Sequence, residues 1–440
     1  MNKLKIMITA WLLAFLATPA EALFDDMHEF KLDNGLQVVV IENHKAPIVK
    51  QMVFYKAGSM DEAIGKGGVA HLLEHLMFRG TERLKDGKFN DLMEQNGVVS
   101  NAFTSQDVTA YHQFCDLSRL EMVMFAEADR MRGLQFSDEA LTSEKQIVAE
   151  ERLQRVDNNP AAKFYEAVKK TLWQSHPYSR QVAGELEEIA ALKRDDVEEF
   201  YQRYYAPNNA VLVFSGDVDA QSLSDKIEKY YGKTTPVEMQ HKEGDKLPDG
   251  YRAKIEMKLK DVKLPRMVRV YATPSFNYKP EMVYALEVLS EYMGGDKNSP
   301  FYQRMVMFSK AALDVDVGYN PMSRSYGTLE VVAVPKEKAT DDFAALTDRA
   351  WDYALRKLDE ENLAMTKDKI LADLVYTEDN PANAAELAGM MAAQGIDLRV
   401  LQDYEQNIRK VSLEDVLAAG EYLRTQAPVV TGLLNGDDEL

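Results

Sequence analysis

A pattern of strands followed by helices is written twice along this 440-residue chain, and that repetition limits the folds open to it. In the first copy, residues 30–32 lead through the turn signal Asp33-Asn34-Gly35 into an apolar run at 36–41, and residues 48–55 form another strand. A glycine-rich loop over 57–68 follows, and helical spacing begins near Val69 and runs to about Phe78. Residues 101–104 and 108–114 read as two strands around Ser105-Gln106-Asp107. Residues 117–132 read as a helix with Asp116 as N-cap. A second helix starts after Ser137, with Phe136 and Leu141 as a hydrophobic staple, and runs to about Val156. Residues 210–214 form a strand closed by Ser215-Gly216-Asp217.

After a polar stretch over 234–250 the pattern restarts, with strands at 251–259 and 267–272 and a helix over about 280–293. Two halves of similar element order imply duplication. Strands and helices without regular βαβ alternation imply an α+β class. The expected organisation is one domain over 23–235, a linker at about 236–250, and a second domain over 251–440.

Composition narrows the function classes. Hydrophobic residues at 46% and charged residues at 28% fit a globular chain and exclude long disorder. A net charge of -19 argues against nucleic acid as the main partner, since phosphate binding needs a basic face. Cys115 is the only cysteine, so there is no intrachain disulfide, and a metal site must use histidines and carboxylates.

The N-terminus reads as an export signal: Lys3 and Lys5, a mostly apolar run at 6–16, and the cleavage pattern Ala20-Glu21-Ala22. Residues 1–22 are therefore expected to be removed, with an uncleaved anchor as the rival reading. The chain is expected to be periplasmic or secreted, with no stable membrane span once the signal is gone.

His71-Leu72-Leu73-Glu74-His75 is the sharpest local feature. On a helix, at about 100° per residue, His75 lies about 40° from His71 and Glu74 about 60° to the other side, so all three share one face. Two imidazoles one turn apart can hold one zinc ion, and the adjacent carboxylate can act on water there. A chance H-x-x-E-H is expected roughly 0.01 times in a chain of this length, so a helix with surface histidines is the weaker reading. A third ligand is required. His28, His44, His112, His176 and His241 are not excluded by position. Glu144 and Glu151, seven residues apart, share one face of an acidic helix, while Glu150 points away; either of the first two could serve.

Longer stretches around these residues resemble the inverzincins of the pitrilysin/insulinase class, which include mitochondrial processing peptidase. Residues 68–81, Gly68-Val69-Ala70-His71-Leu72-Leu73-Glu74-His75-Leu76-Met77-Phe78-Arg79-Gly80-Thr81, resemble the family's metal helix almost residue for residue. Asn101-Ala102-Phe103-Thr104-Ser105 with Asp107, Thr109 and Tyr111 resembles its N-A-x-T-x-x-D-x-T-x-Y stretch. Residues 144–151 are similar to the segment whose last Glu completes the metal set, and 204–210 to a later motif. The resemblance implies a zinc metalloendopeptidase with His71, His75 and Glu151 as metal ligands. Glu74 is then the general base, and Glu144 a second catalytic carboxylate that supports the site. Asn101, Ala102, Phe103 and Thr104 form a sheet edge on which substrate adds as a strand. The implied fold is two halves, each a mostly antiparallel sheet covered by helices, with four such halves closing a chamber around peptides or unfolded segments.

One departure matters. Self-sufficient members of the family carry an Arg and a Tyr seven residues apart that stabilise the tetrahedral intermediate. Val306 and Leu313 stand at those positions here, and neither donates a hydrogen bond; Arg304 and Tyr319 are spaced wrongly. The chain thus resembles the zinc-bearing half of a two-subunit enzyme whose homologous partner supplies the pair, with a homodimer as the other arrangement. A catalytically weak peptide-binding subunit and a metal-storing protein are the alternatives from other classes. The intact His71, Glu74, His75 and Glu151 count against both.

Overall fold

Two central strands, β3 (Ile48–Tyr55) and β6 (Ala210–Gly216), are apolar along nearly their whole length and show no alternation. Such strands need cover on both faces. In the computed structural model, which describes residues 24–85, 87–239 and 244–437, they have it. Val49, Val53 and Tyr55 pack against one helical layer, while Met52 and Phe54 pack against another on the opposite face. The expected export signal at 1–22 lies outside the described residues.

The first sheet also contains β1 (Met27–Lys31), β2 (Gln37–Glu42), β4 (Val99–Thr104) and β5 (Thr109–Asp116), in the order β1-β2-β6-β3-β5-β4. All its pairings are antiparallel except β2 with β6. The second sheet has β7 (Arg252–Leu259), β8 (Arg266–Thr273), β9 (Ala312–Asn320), β10 (Gly327–Pro335) and β11 (Val429–Gly436), in the order β7-β11-β8-β10-β9. Only β7 with β11 is parallel. Apart from the extra β1, the two sheets share one topology. In each, the last strand returns to lie parallel to the first and antiparallel to the second. The duplication that the element order implies is therefore present in the pairing itself, and the fold is α+β with two homologous, mostly antiparallel halves.

The helices that matter below are α1 (Val69–Leu76), α2 (Leu120–Gly133), α3 (Asp138–Arg152), α4 (Pro160–Trp173), α5 (Arg194–Tyr204), α6 (Val283–Gly294), α7 (Asp341–Lys357), α8 (Glu360–Asp379), α9 (Pro381–Ala393) and α10 (Leu413–Thr425). Sequence signals place several of their ends. The Ser137 hydroxyl accepts the Ala140 N–H at 3.1 Å, and Phe136 and Leu141 join one core. Asp116 accepts the Ser118 N–H at 2.8 Å, but the residues it caps, Leu117–Arg119, form a 3₁₀ turn and α2 starts only at Leu120. The α3 helix continues through a π turn, Leu153–Asp157, before Asn159 caps α4 with Pro160 at its first position.

Each half lends one helix to the other. Helix α4 precedes the second sheet by nearly eighty residues, yet packs on β7, β8 and β11, with Phe164, Val168 and Leu172 fully buried against Val268, Val270 and Val430. Reciprocally, α9 lies on β2, β3 and β6, with Ala384, Ala385 and Ala388 against Val39, Phe54 and Val213. Both contacts require a glycine. A Cβ on Gly389 would meet Phe54 Cε2 at 2.0 Å, and one on Gly432 would meet Phe164 Cζ at 2.6 Å. Full burial of each large apolar side chain contributes about 1.5–3 kcal/mol, so the exchange ties the halves together firmly. The described residues of the stretch 234–250 form neither helix nor strand. They are strapped to both halves: Asn208 exchanges two hydrogen bonds with Val237, and the Leu247 N–H donates to the Tyr326 hydroxyl at 3.1 Å. Among the described residues, no helix is long and apolar enough to cross a membrane.

Candidate active site

Helix α1 begins where Gly68 adopts φ +85°; a Cβ there would also strike the Ala183 carbonyl oxygen at 2.7 Å. Buried Glu62 accepts the Ala70 N–H at 3.0 Å and so satisfies one of the orphan donors of the first turn. Burial is the chief reason that its carboxyl is pushed up to about 8. Leu72, Leu73 and Leu76 are fully buried in the first core and fix the rotation of the helix. His71, Glu74 and His75 are thereby turned the other way, into a cavity of about 730 Å³.

Helix α3 supplies the opposite wall. Glu151 Oε2 lies 3.7 Å from His71 Nε2, and Glu151 Oε1 lies 3.9 Å from His75 Nε2. Both separations are too long for hydrogen bonds. One donor atom from each of His71, His75 and Glu151 fits within 4.8 Å of the others, the only such group of three among the described residues. Glu151 Oε2 is buried and has no hydrogen-bond partner, although Arg155 stands 3.3 Å from it. A cation between these atoms would satisfy it. The set of two imidazoles and a carboxylate, with one position left over, is of the kind zinc takes in catalytic sites. Burial, helped by the nearby His75 and Arg155, lowers the His71 pKa to about 4, so the ring is neutral at ordinary pH and has a lone pair to give.

His75 is held from behind. Its Nδ1 is 2.9 Å from Glu144 Oε2, and Arg79 Nε donates to Glu144 Oε1 at 2.6 Å. Burial alone would lower the His75 pKa, but the hydrogen bond and charge of Glu144 outweigh it and the net shift is upward. Burial would likewise raise Glu144, yet His75 and Arg79 hold its carboxyl below the ordinary range. Glu74 faces the same cavity from the other side. The Thr104 hydroxyl donates to its Oε2 at 2.5 Å, and burial raises its pKa against that bond.

Asn101, Ala102, Phe103 and Thr104 line the cavity along β4, the edge of the first sheet. Among the described residues β5 is the only strand paired with β4, so its outer edge is open. All nine residues singled out in the sequence therefore border one cavity. The other described histidines do not: His28 and His44 lie beside Glu42, His112 Nδ1 is 2.7 Å from Lys50 Nζ, and buried His176 is 3.1 Å from the Ser325 hydroxyl. His241 lies outside the described residues. Sequence reasoning did not single out Arg79 or Arg155, and it gave Thr104 no role toward Glu74. Arg79 did stand inside the quoted motif, where a cation one turn beyond His75 was the available signal.

The second half shows what the same place becomes without ligands. Helix α6 occupies the position of α1, packed against β9, α8 and α10 much as α1 is packed against β4, α3 and α5. Its i, i+4 pair is Glu287 and Glu291, and Lys369 from α8 donates to Glu291 at 2.5 Å. Val306 packs against the second core and Leu313 is half exposed on β9; Arg304 lies over the Tyr353 ring and the Tyr319 hydroxyl donates to the Pro274 carbonyl at 2.8 Å.

Comparison with known proteins agrees with this division. Residues 37–185 match the model for insulinase (peptidase family M16), and residues 191–370 match the model for the peptidase M16 inactive domain. The zinc protease PqqE of Helicobacter pylori is 28% identical over 418 residues, covering 91% of each chain. A probable mitochondrial-processing peptidase subunit beta of Schizosaccharomyces pombe is 24% identical and covers 87% of each. The crystal structure of a protease from Helicobacter pylori superposes with a TM-score of 0.85 at 26% identity, over 93% of this chain and 99% of that one. Two family models that together span most of the sequence, and relatives aligned along nine-tenths of it, settle the kinship: the chain belongs to peptidase family M16, the insulinase family.

Proposed function

We propose that this chain is a zinc-dependent endopeptidase that cleaves peptides or unfolded segments, and that it works as the zinc-bearing subunit of a two-subunit enzyme. The observation that carries the reading is the gathering of His71, His75 and Glu151 around one gap, with Glu74 beside them and the open β4 edge along the same cavity. His71, His75 and Glu151 would hold the ion. Zinc, when bound, supplies a Lewis acid that polarises a carbonyl and lowers the pKa of water toward neutrality.

The remaining work falls to side chains of this protein. Glu74, oriented by Thr104, takes a proton from the attacking water and returns it to the leaving amine nitrogen, as a general base and then a general acid. Glu144 keeps His75 in one tautomer and ring orientation. Asn101 to Thr104 offer backbone groups to an extended peptide, a mode that reads little side-chain sequence. The two-subunit arrangement rests on Val306 and Leu313, which give the carbonyl oxygen no donor. A homologous partner with an Arg and a Tyr there would close the chamber and complete the site; a homodimer would close it without them. The domain limits 23–235 and 251–440, export by residues 1–22, and a periplasmic or secreted location belong to the same reading.

Two measurements test it: zinc content of the purified chain and hydrolysis of an unstructured peptide, with and without a homologous partner. Glu74→Gln should keep the zinc and lose on the order of a hundredfold to ten-thousandfold in rate. Hydrolysis that persists in zinc-loaded Glu74→Gln protein rules the mechanism out. A second reading, a peptide-binding subunit with little activity, is favoured by Val306 and Leu313. Zinc-loaded chain that binds peptide but cleaves none with any partner would establish it.

A further inference from the structure

We propose that Arg324, which belongs to the second half, is a positioning residue for the site in the first half: it fixes the β4–β5 turn and the segment ahead of α1, and so sets the β4 edge against Glu74. The proposal rests on the endopeptidase reading for its kinetic consequence, not for its structural one.

Arg324 lies in the loop between β9 and β10 with its side chain 12% exposed. Its Nη2 donates to Asp61 Oδ2 at 2.6 Å and its Nη1 to Asp61 Oδ1 at 3.2 Å, a forked pair. Its Nε donates to Asp107 Oδ1 at 3.2 Å, and its backbone N–H donates to Asp107 Oδ2 at 3.0 Å. Asp61 and Asp107 are 2% and 4% exposed. The Tyr178 hydroxyl donates to Asp107 at 2.8 Å and accepts the Ser325 N–H at 3.2 Å, which holds the same loop from a third side.

The two carboxylates belong to one unit. Asp61 ends the 3₁₀ turn Ser59–Asp61, and the N–H groups of Ser59 and Met60 donate to the carbonyls of Ser105 and Gln106 at 3.1 and 2.9 Å. Asp107 stands in that same β4–β5 turn. On one side the unit continues into Glu62, which caps α1; on the other it continues into Thr104, which orients Glu74. One guanidinium therefore joins the segments that enter the site from both directions. Its positive charge also lies between two buried carboxylates, so removing it makes their burial side by side costlier. Lysine would keep the charge but lose the fork.

The test compares Arg324→Gln, Arg324→Lys and, as a control, Arg399→Gln, which breaks an exposed ion pair with Asp397 in the same half. Each full-length chain is measured for zinc content, for hydrogen exchange of amides across β4 and β5 and across the second sheet, and for KM and kcat on an unstructured peptide. In Arg324→Gln, exchange at residues 102–109 should rise about tenfold or more, while β8, β10 and β11 stay protected. The kcat/KM should fall on the order of tenfold to a hundredfold, with KM moving more than kcat, and Arg324→Lys should recover part of the loss. If Arg324→Gln does not fold, Arg324→Lys and Asp107→Asn carry the same readouts. Unchanged exchange at 102–109 overturns the proposal. So does a lower melting temperature with KM and kcat intact well below melting, because an arginine that merely cements the halves would do only that. If the wild-type chain cleaves nothing, the functional reading fails, and the exchange data still decide whether Arg324 positions β4.

Discussion

Glu144 and Glu151 sit two turns apart on one helix and face the same histidine from opposite sides: Glu144 Oε2 is 2.9 Å from His75 Nδ1, and Glu151 Oε1 is 3.9 Å from His75 Nε2. The short contact is a hydrogen bond and the long one is a gap. Under the proposed function, that difference suits Glu144 to support the ring and Glu151 to bind a cation. It favours Glu151 as the third donor, a choice the seven-residue spacing leaves open because both residues point the same way from the helix.

The first prediction follows. Glu151→Gln removes a charged donor from the group of three and should abolish tight zinc binding. Glu144→Gln leaves the three donors in place but loosens the His75 ring, so zinc affinity or activity should fall about tenfold to a hundredfold, with activity hit harder than zinc. Competition with a chromogenic chelator gives the affinities, and a peptide assay the rates. Equal loss of zinc in both variants contradicts the assignment.

A second prediction concerns acid stability at the seam between the halves. His176 is fully buried, packed against Trp173, Tyr178 and Tyr326. Burial lowers its pKa to about 4, with Asp245 opposing weakly. The folded state therefore binds fewer protons than the unfolded one between pH 6.5 and 4, and stability must fall as pH drops through that window. The loss attributable to this residue is on the order of 3 kcal/mol when complete. His176→Gln should flatten the decline of melting temperature between pH 6.5 and 4, whatever it does at pH 8. An unchanged slope would assign the acid lability to other groups.

Gly432 carries the third prediction. It lies on β11 where α4 crosses from the other half, and a Cβ there meets Val168 Cγ2 at 2.5 Å and Phe164 Cζ at 2.6 Å. Gly432→Ala should cost about 1–3 kcal/mol through overpacking, although alanine is the easier residue for a strand backbone. Pairing it with Phe164→Leu should recover part of the loss if the clash is the cause, since the cycle isolates that contact. Thermal melts of the two single variants and the double variant decide; strictly additive losses count against it.

These residues also mark where the sequence stops being readable. Local chemistry was legible: Ser137 caps α3, the three leucines set the rotation of α1, and His71, Glu74 and His75 share a face because helical geometry forces them to. The two-half organisation was legible because it is a matter of element order. The exchange of α4 and α9 was not. Phe164, Val168 and Leu172 announce a buried face, but an apolar stripe does not name the sheet that will cover it. Arg324 was invisible for a related reason: its partners Asp107 and Asp61 lie 217 and 263 residues away, and nothing local distinguishes a loop arginine that reaches them from one in solvent. Asp107 did stand within a quoted motif, and its burial next to a cation from the other half gives that position a physical reason.

The last prediction is that the purified chain alone binds zinc yet cleaves peptides slowly. Val306 and Leu313 place an aliphatic group where the family's self-sufficient members have donors, and Val306 is already committed to the second core. Arg304 and Tyr319 are engaged elsewhere: Arg304 lies over Tyr353 and the Tyr319 hydroxyl is bound to a backbone carbonyl. Loss of one oxyanion donor costs on the order of a hundredfold to a thousandfold in rate, and loss of a pair that also grips the substrate should cost at least that. A second copy of this chain could shield the cavity but brings the same two aliphatic residues, so raising its concentration should change the rate little. Adding a homologous chain with Arg and Tyr at the matching positions should raise kcat a hundredfold or more, and replacing that Arg by Ala should cancel the gain. Zinc content should stay constant throughout, which separates a missing donor from a missing metal. Full activity of the lone chain, indifferent to any added partner, would show that the carbonyl oxygen is stabilised by some other group on this chain and that Val306 and Leu313 have been given the wrong role.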